Sequence, residues 1–231
     1  MLSATKLAER IAKVNERIEQ ACRRAGRAPS DVKLIAVTKM TTVENAGAAL
    51  RCGLHSLGEN RVQDFLTKYE QIGADAEWHL IGHLQRNKAK YLTGKMEMIH
   101  SLDRLPLARM LDQLSEVQGR PWNALAQVNV SGEETKYGLS PEELPQFLDA
   151  VQDLHGINLC GLMTIAPFED DPERVRPVFR MLRLLRDRMA QSRPNLELPH
   201  LSMGMTNDFE IAVEEGATMV RVGSAIFSDL N

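Results

Sequence analysis

Three stretches of this 231-residue chain end short apolar runs on residues that could do chemistry. Val32-Lys33-Leu34-Ile35-Ala36-Val37-Thr38-Lys39 is rich in β-branched residues and closes on a lysine. A lysine there is either a surface residue at a strand exit or a nucleophilic amine that can capture a carbonyl. Ser202-Met203-Gly204 and Arg221-Val222-Gly223-Ser224 offer hydroxyls, together with glycines that let backbone N–H groups close on a phosphate. The bland alternatives are glycines that only permit tight turns and an Arg221 held in an outer ion pair.

Other candidates are weaker. His79 and His83 are four apart, a metal-pair spacing on a helix. They straddle a strand end and have no third ligand in sight, so no metal is expected, and both are read as packing at a pocket wall. Lys136 lies in a loop, where it is either solvated or a secondary amine.

The elements that must position these residues follow from periodicity. Leu7, Ile11, Val14 and Ile18 are spaced for a helix that Gly26 stops. Eight strand-like runs follow: 32–39, 55–60, 77–82, 97–103, 123–130, 158–165, 199–204 and 218–224. Amphipathic segments separate them. Thr41 with Glu44 has capping-box spacing, and Ser140-Pro141-Glu142-Glu143, Asp171-Pro172-Glu173 and Asn207-Asp208-Phe209-Glu210 are further start signals. Gly53, Gly73, Gly94, Gly119, Gly156 and Gly216 sit where helical segments should stop.

Alternating strands and helices mean a parallel sheet, and eight units are the count of a (β/α)8 TIM barrel. A doubly wound sheet would be supported by GxGxxG after the first strand, which is absent. The expectation is one α/β barrel domain over 1–231, with an extra N-terminal helix and no second domain. The usual helix after the last strand is expected to be missing, with the N-terminal helix covering that part of the sheet instead.

Composition excludes several classes. Net charge is −3 with both signs interspersed, so neither nucleic acid nor a membrane surface is an expected partner. The run from Arg180 to Arg188, interleaved with Leu182, Leu184, Leu185 and Met189, reads as a barrel helix with a basic outer face and no stacking aromatics. No apolar window is long enough for a membrane span, and no signal-peptide pattern is present. Three widely separated cysteines suggest buried thiols and a cytoplasmic location.

In a barrel the functional face collects the C-terminal strand ends, and the corner after strands 7 and 8 is where phosphate sites are usually built. Lys39, at the end of strand 1, is then beside strand 8, and Arg221 points into the same mouth. An amine facing a phosphate clamp suits a phosphorylated aldehyde or keto sugar held as a Schiff base, because a lysine in apolar surroundings loses its proton readily. An aldolase-type sugar phosphate and pyridoxal phosphate both satisfy this geometry.

Longer motifs separate the two. Ala36-Val37-Thr38-Lys39, Gly58-Glu59-Asn60-Arg61-Val62-Gln63 and Trp78-His79-Leu80-Ile81-Gly82-His83-Leu84-Gln85-Arg86-Asn87-Lys88 are three of them. Gly161-Leu162-Met163-Thr164, Leu201-Ser202-Met203-Gly204-Met205-Thr206-Asn207-Asp208 and Val220-Arg221-Val222-Gly223-Ser224 complete the set. Together they resemble the pyridoxal-phosphate homeostasis protein family, whose barrel is similar to the N-terminal domain of alanine racemase. The resemblance runs end to end. It implies pyridoxal 5'-phosphate carried as a Schiff base on Lys39. It also implies a phosphate held by Ser202, with Met203 and Gly204 beside it, and by Gly223 and Ser224. Arg221 would face the pyridine nitrogen and Asn60 would line the ring pocket. Ser224 departs from the threonine common at its position, and either hydroxyl can donate to a phosphate.

An arginine at the ring nitrogen does not readily give up a proton, so the ring stays a weak electron sink. That suits racemisation or storage of the cofactor better than transamination. A two-base racemase needs a second acid/base group opposite the lysine, which in the racemases this barrel resembles is a tyrosine of an added β-domain. Tyr69 and Tyr91 are expected to face away from the mouth, leaving Tyr137. The expected role is therefore a monomeric pyridoxal-phosphate carrier in vitamin B6 homeostasis, with no catalytic residue beyond Lys39 and with apo-enzymes as recipients. An amino-acid racemase or other small Schiff-base enzyme is the alternative.

Overall fold

The computed structural model describes residues 4–133 and 135–228; Glu134 and both ends of the expected 1–231 domain lie outside the described residues. Its eight strands are β1 (Lys33–Val37), β2 (Ser56–Glu59), β3 (Glu77–Leu80), β4 (Met98–Leu102), β5 (Trp122–Gln127), β6 (Ile157–Met163), β7 (His200–Ser202) and β8 (Met219–Val222). All neighbouring pairs are parallel and the sheet closes in sequence order, as the eight-unit count requires. The (β/α)8 barrel read from the sequence is the fold observed.

The helices are α1 (Ala4–Arg24), α2 (Val43–Arg51), α3 (Val62–Ile72), α4 (Leu105–Gln118), α5 (Leu144–Gln152), α6 (Arg176–Ser192), α7 (Phe209–Glu214) and α8 (Ser224–Phe227). The apolar stripe of α1, from Leu7 to Ile18, is buried, and the helix packs on α7 and α8. The last strand is therefore followed by one helical turn beginning at Ser224, where no final helix was expected. Between β3 and β4 there is no α-helix but a 3-10 segment, Arg86–Leu92. Gly82 and His83 line the barrel mouth before that segment begins.

Local signals act much as their chemistry dictates. Ser140 and Glu143 exchange the two reciprocal bonds of a capping box ahead of α5, and Asp171 accepts from the Glu173 N–H ahead of α6. The cap of α2 is Thr42, whose hydroxyl accepts from the Asn45 N–H, and not Thr41. Gly156 has no positive φ; it is small because Ser115 and Asp112 of α4 press against it. The basic face of α6 is not simply solvated. Arg176, Arg180 and Arg183 converge on the buried carboxylate of Glu215, whereas Leu184 lies exposed. Cys22 and Cys160 are buried, while Cys52 is half-buried.

Strand alternation sorts the barrel into two cores. Val220 and Val222 face the helical layer, whereas Met219 and Arg221 point inward. Ile35, Met98, Leu125 and Met163 share that interior with His79, His100 and Ser202.

Candidate active site at the barrel mouth

The registers bring three strand ends together. Ala36 pairs with Leu57 on one side and with Val222 on the other, so the residues after β1 lie between those after β2 and β8. A cavity of about 880 Å³ opens there, lined by Lys39, Asn60, Arg221, Gly223 and Ser224 among others. Lys39 is exposed at its rim, and among the described residues no hydrogen bond or ion pair engages its amine.

What stands behind Lys39 is a buried polar knot that sequence reasoning missed. Thr38 donates its hydroxyl to Glu59 Oε1 at 2.5 Å, and Lys68 Nζ reaches the same oxygen at 2.6 Å and the Thr38 carbonyl at 2.9 Å. Glu59 and Lys68 are both buried. The residues preceding Lys39 and Asn60 are thus tied to one another and to α3. A signal was present: Lys68 follows Val62 and Phe65 on the inner face of α3, where a lysine demands a carboxylate.

Asn60 approaches so closely that a Cβ at Gly82 would meet its carbonyl oxygen at 2.3 Å. Gly82 is glycine for that reason. Gly223 serves the facing wall, where a Cβ would stand 3.2 Å from the Val37 carbonyl oxygen and spread β8 from β1.

Arg221 is 3% exposed and forms the cavity floor. It donates from Nη1 to Ser202 Oγ at 2.6 Å and from Nη2 to the Thr164 carbonyl at 2.8 Å. It is not an outer ion pair. Burial pulls its pKa down to about 10, opposed by the Asp208 charge. Burial raises Asp208 in turn, against the Met205 N–H that it accepts at 2.6 Å.

Ser202, Met203 and Gly204 are buried behind this wall and do not line the cavity. The Ser202 hydroxyl is held between Arg221 and His100. The hydroxyl-bearing residue of this loop that does line the cavity is Thr206, whose Oγ1 accepts from the Ala225 N–H at 3.4 Å and so adjoins Ser224. Strand-end reading stopped at Gly204, two residues short of Thr206, because nothing in the pattern shows that the loop lines the mouth beyond the strand end.

The two histidines part company. His83 lines the mouth, stacked on Tyr137 at 4.0 Å, with Nδ1 3.3 Å from Asp103. His79 is inside the barrel, because β3 alternation turns it inward, and it lines a second cavity at the opposite end. No group of three metal-ligating side chains occurs among the described residues. Lys136 is ion-paired with Glu133 at 2.8 Å and does not line the mouth cavity. Tyr137 does line it; Tyr69 packs on Phe65 and Trp78, and Tyr91 is exposed elsewhere.

An exposed amine, a buried guanidinium floor and a corner of hydroxyls and glycine can hold a flat aldehyde carrying a phosphate. The comparisons agree with that chemistry. Residues 10–231 match the family model "Alanine racemase, N-terminal domain". The chain is 49% identical over 222 residues to the pyridoxal phosphate homeostasis protein of Aquifex aeolicus, covering 96% of this chain and 97% of the relative. The protein of the same name from Pseudomonas aeruginosa is 40% identical, with 96% and 94% covered. PipY of Synechococcus elongatus, in its structure with PLP bound, superposes with a TM-score of 0.84 at 34% identity, covering 96% of this chain and 100% of that one. The chain belongs to the pyridoxal phosphate homeostasis protein family, built on the N-terminal domain of alanine racemase.

Proposed function

We propose that this chain, as one barrel domain, binds pyridoxal 5'-phosphate at its mouth as a Schiff base on Lys39 and serves cytoplasmic pyridoxal-phosphate homeostasis without turnover of its own. The observation that carries the reading is that Lys39, Arg221 and Ser224 line one cavity, with the lysine amine unengaged by any described group. The names of the relatives and the PLP-bound PipY structure support it.

Bound there, pyridoxal phosphate supplies an aldehyde for amine capture and an electron-withdrawing ring. The protein's own groups set the terms. Thr206 and Ser224 offer hydroxyls to the phosphate, with Gly223 keeping the corner narrow. Asn60 and Ile81 would border the ring, and Arg221 would offer the ring nitrogen a hydrogen bond while keeping its proton. Ser202, Met203 and Gly204 act from behind by holding Arg221 and the loop. Recipients would be apo-enzymes, and a monomer is the proposed state.

The test is the absorption spectrum of purified protein with pyridoxal phosphate. A visible Schiff-base band, lost in Lys39→Ala, is expected; an undiminished band in that variant contradicts the reading. The second reading, an amino-acid racemase or other small Schiff-base enzyme, is favoured by one observation: Tyr137 lines the mouth. Racemase turnover abolished by both Lys39→Ala and Tyr137→Phe would establish it in place of the first.

A further inference from the structure

Inside the barrel, four polar side chains form a line from the mouth cavity to the cavity at the opposite end. Arg221 Nη1 donates to Ser202 Oγ at 2.6 Å; Ser202 Oγ lies 2.8 Å from His100 Nδ1, and His100 Nε2 lies 3.0 Å from His79 Nδ1. Arg221 lines the first cavity and His79 the second. Every member is at most 3% exposed. The proposed function leaves His79 and His100 without a task, and polar groups this deep in an apolar barrel are costly unless they are organised.

Donor counting orients the line. A guanidinium has no acceptor, so Ser202 must accept from Arg221. The Ser202 proton then has His100 Nδ1 as its acceptor among the described residues. His100, accepting at Nδ1, carries its proton on Nε2 and donates it to His79 Nδ1. His79 in turn is protonated on Nε2, which meets no described acceptor. The reverse order would leave the Ser202 proton stranded beside a cation. Both imidazoles are neutral, because burial pushes their pKa values down, His79 to about 3.

We propose that His79 and His100 are positioning residues for Arg221, acting through Ser202 as a one-way hydrogen-bond relay along the barrel axis. No carboxylate hydrogen-bonds the Arg221 guanidinium among the described residues; its bonded partners are the Thr164 carbonyl and this chain of oriented neutral dipoles. The relay fixes the plane of the guanidinium at the cavity floor without cancelling its charge. It thereby couples the two ends of the barrel, so a change at His79 reaches the mouth.

The orientation is tested without any ligand, by 15N NMR of histidine-labelled, cofactor-free protein near pH 7.5. Both imidazoles are expected neutral and protonated on Nε2, and Ser202→Ala is expected to disturb the tautomer of His79, two links away, with Ser202→Thr restoring it. A His79 protonated on Nδ1, or a His79 signal indifferent to Ser202→Ala, would overturn the relay. The coupling rests on the pyridoxal-phosphate reading and has its own arm. His79→Phe is expected to weaken binding of pyridoxal phosphate roughly threefold to tenfold, with the visible band shifted; unchanged affinity and band refute the positioning role. If wild-type protein forms no band at all, the function reading fails while the NMR result still stands or falls by itself.

Discussion

Lys68 Nζ sits 2.6 Å from Glu59 Oε1, in an ion pair withdrawn from water directly behind the residues that flank Lys39 and Asn60. Two charges in such a place attract strongly but have lost their hydration, so the pair is worth little against an apolar substitute and much against half of itself. Glu59→Gln strands a buried ammonium and is expected to cost about 3–5 kcal/mol in denaturant unfolding. The double variant Glu59→Gln/Lys68→Met is expected to recover a large part of that loss. Equal losses in both would show that packing, and not the unpaired charge, sets the cost.

Acid stability follows from the barrel interior. His79 and His100 have folded pKa values depressed by burial, below the ordinary 6.5. The unfolded chain therefore binds more protons as pH falls below about 6.5, and the native state loses stability from there downward. Each imidazole contributes about 1.4 kcal/mol per pH unit in that window. Unfolding followed between pH 7 and pH 5 is expected to show this slope, reduced in His79→Phe; a flat profile would mean the imidazoles take up protons as readily in the folded protein as in the unfolded chain.

Much of this was legible in the sequence, and the failures have physical reasons. Strand count, closure and the place of Lys39 followed from apolar runs, glycines and start signals. The inward turn of His79 and Ser202 did not, because alternation is readable only once the strand ends are known, and a one-residue shift inverts it. The spacing of Val62, Phe65 and Lys68 turns that lysine inward, but nothing in it says that its carboxylate is Glu59, at a strand end nine residues earlier. The Glu215 cluster was hidden similarly: α6 supplies the arginines, while the acid lies at the end of α7.

The phosphate corner can be assigned by hydroxyl. Thr206 lines the cavity, whereas Ser202 is committed to Arg221 and His100. Thr206→Ala is expected to weaken pyridoxal phosphate by roughly tenfold, the loss of about one charge-assisted hydrogen bond, and to leave unphosphorylated pyridoxal unaffected. Equilibrium titration with both compounds checks this. An equal loss for the two would place Thr206 at the ring and not at the phosphate.

Gly82 sets how near Asn60 comes to the mouth. A methyl there would press on the Asn60 backbone at 2.3 Å, so Gly82→Ala must push the loop outward. Overpacking of this kind costs about 1–3 kcal/mol. The melting temperature is expected to fall, with affinity for pyridoxal phosphate falling alongside it; full affinity in the destabilised variant would remove Asn60 from the ring pocket.

The central claim is that Lys39 is the capturing amine. Protein incubated with pyridoxal phosphate, reduced with borohydride and digested should yield one modified peptide, and fragmentation should put the adduct on Lys39. An adduct confined to Lys136 or another lysine, with Lys39 unmodified, would contradict the account.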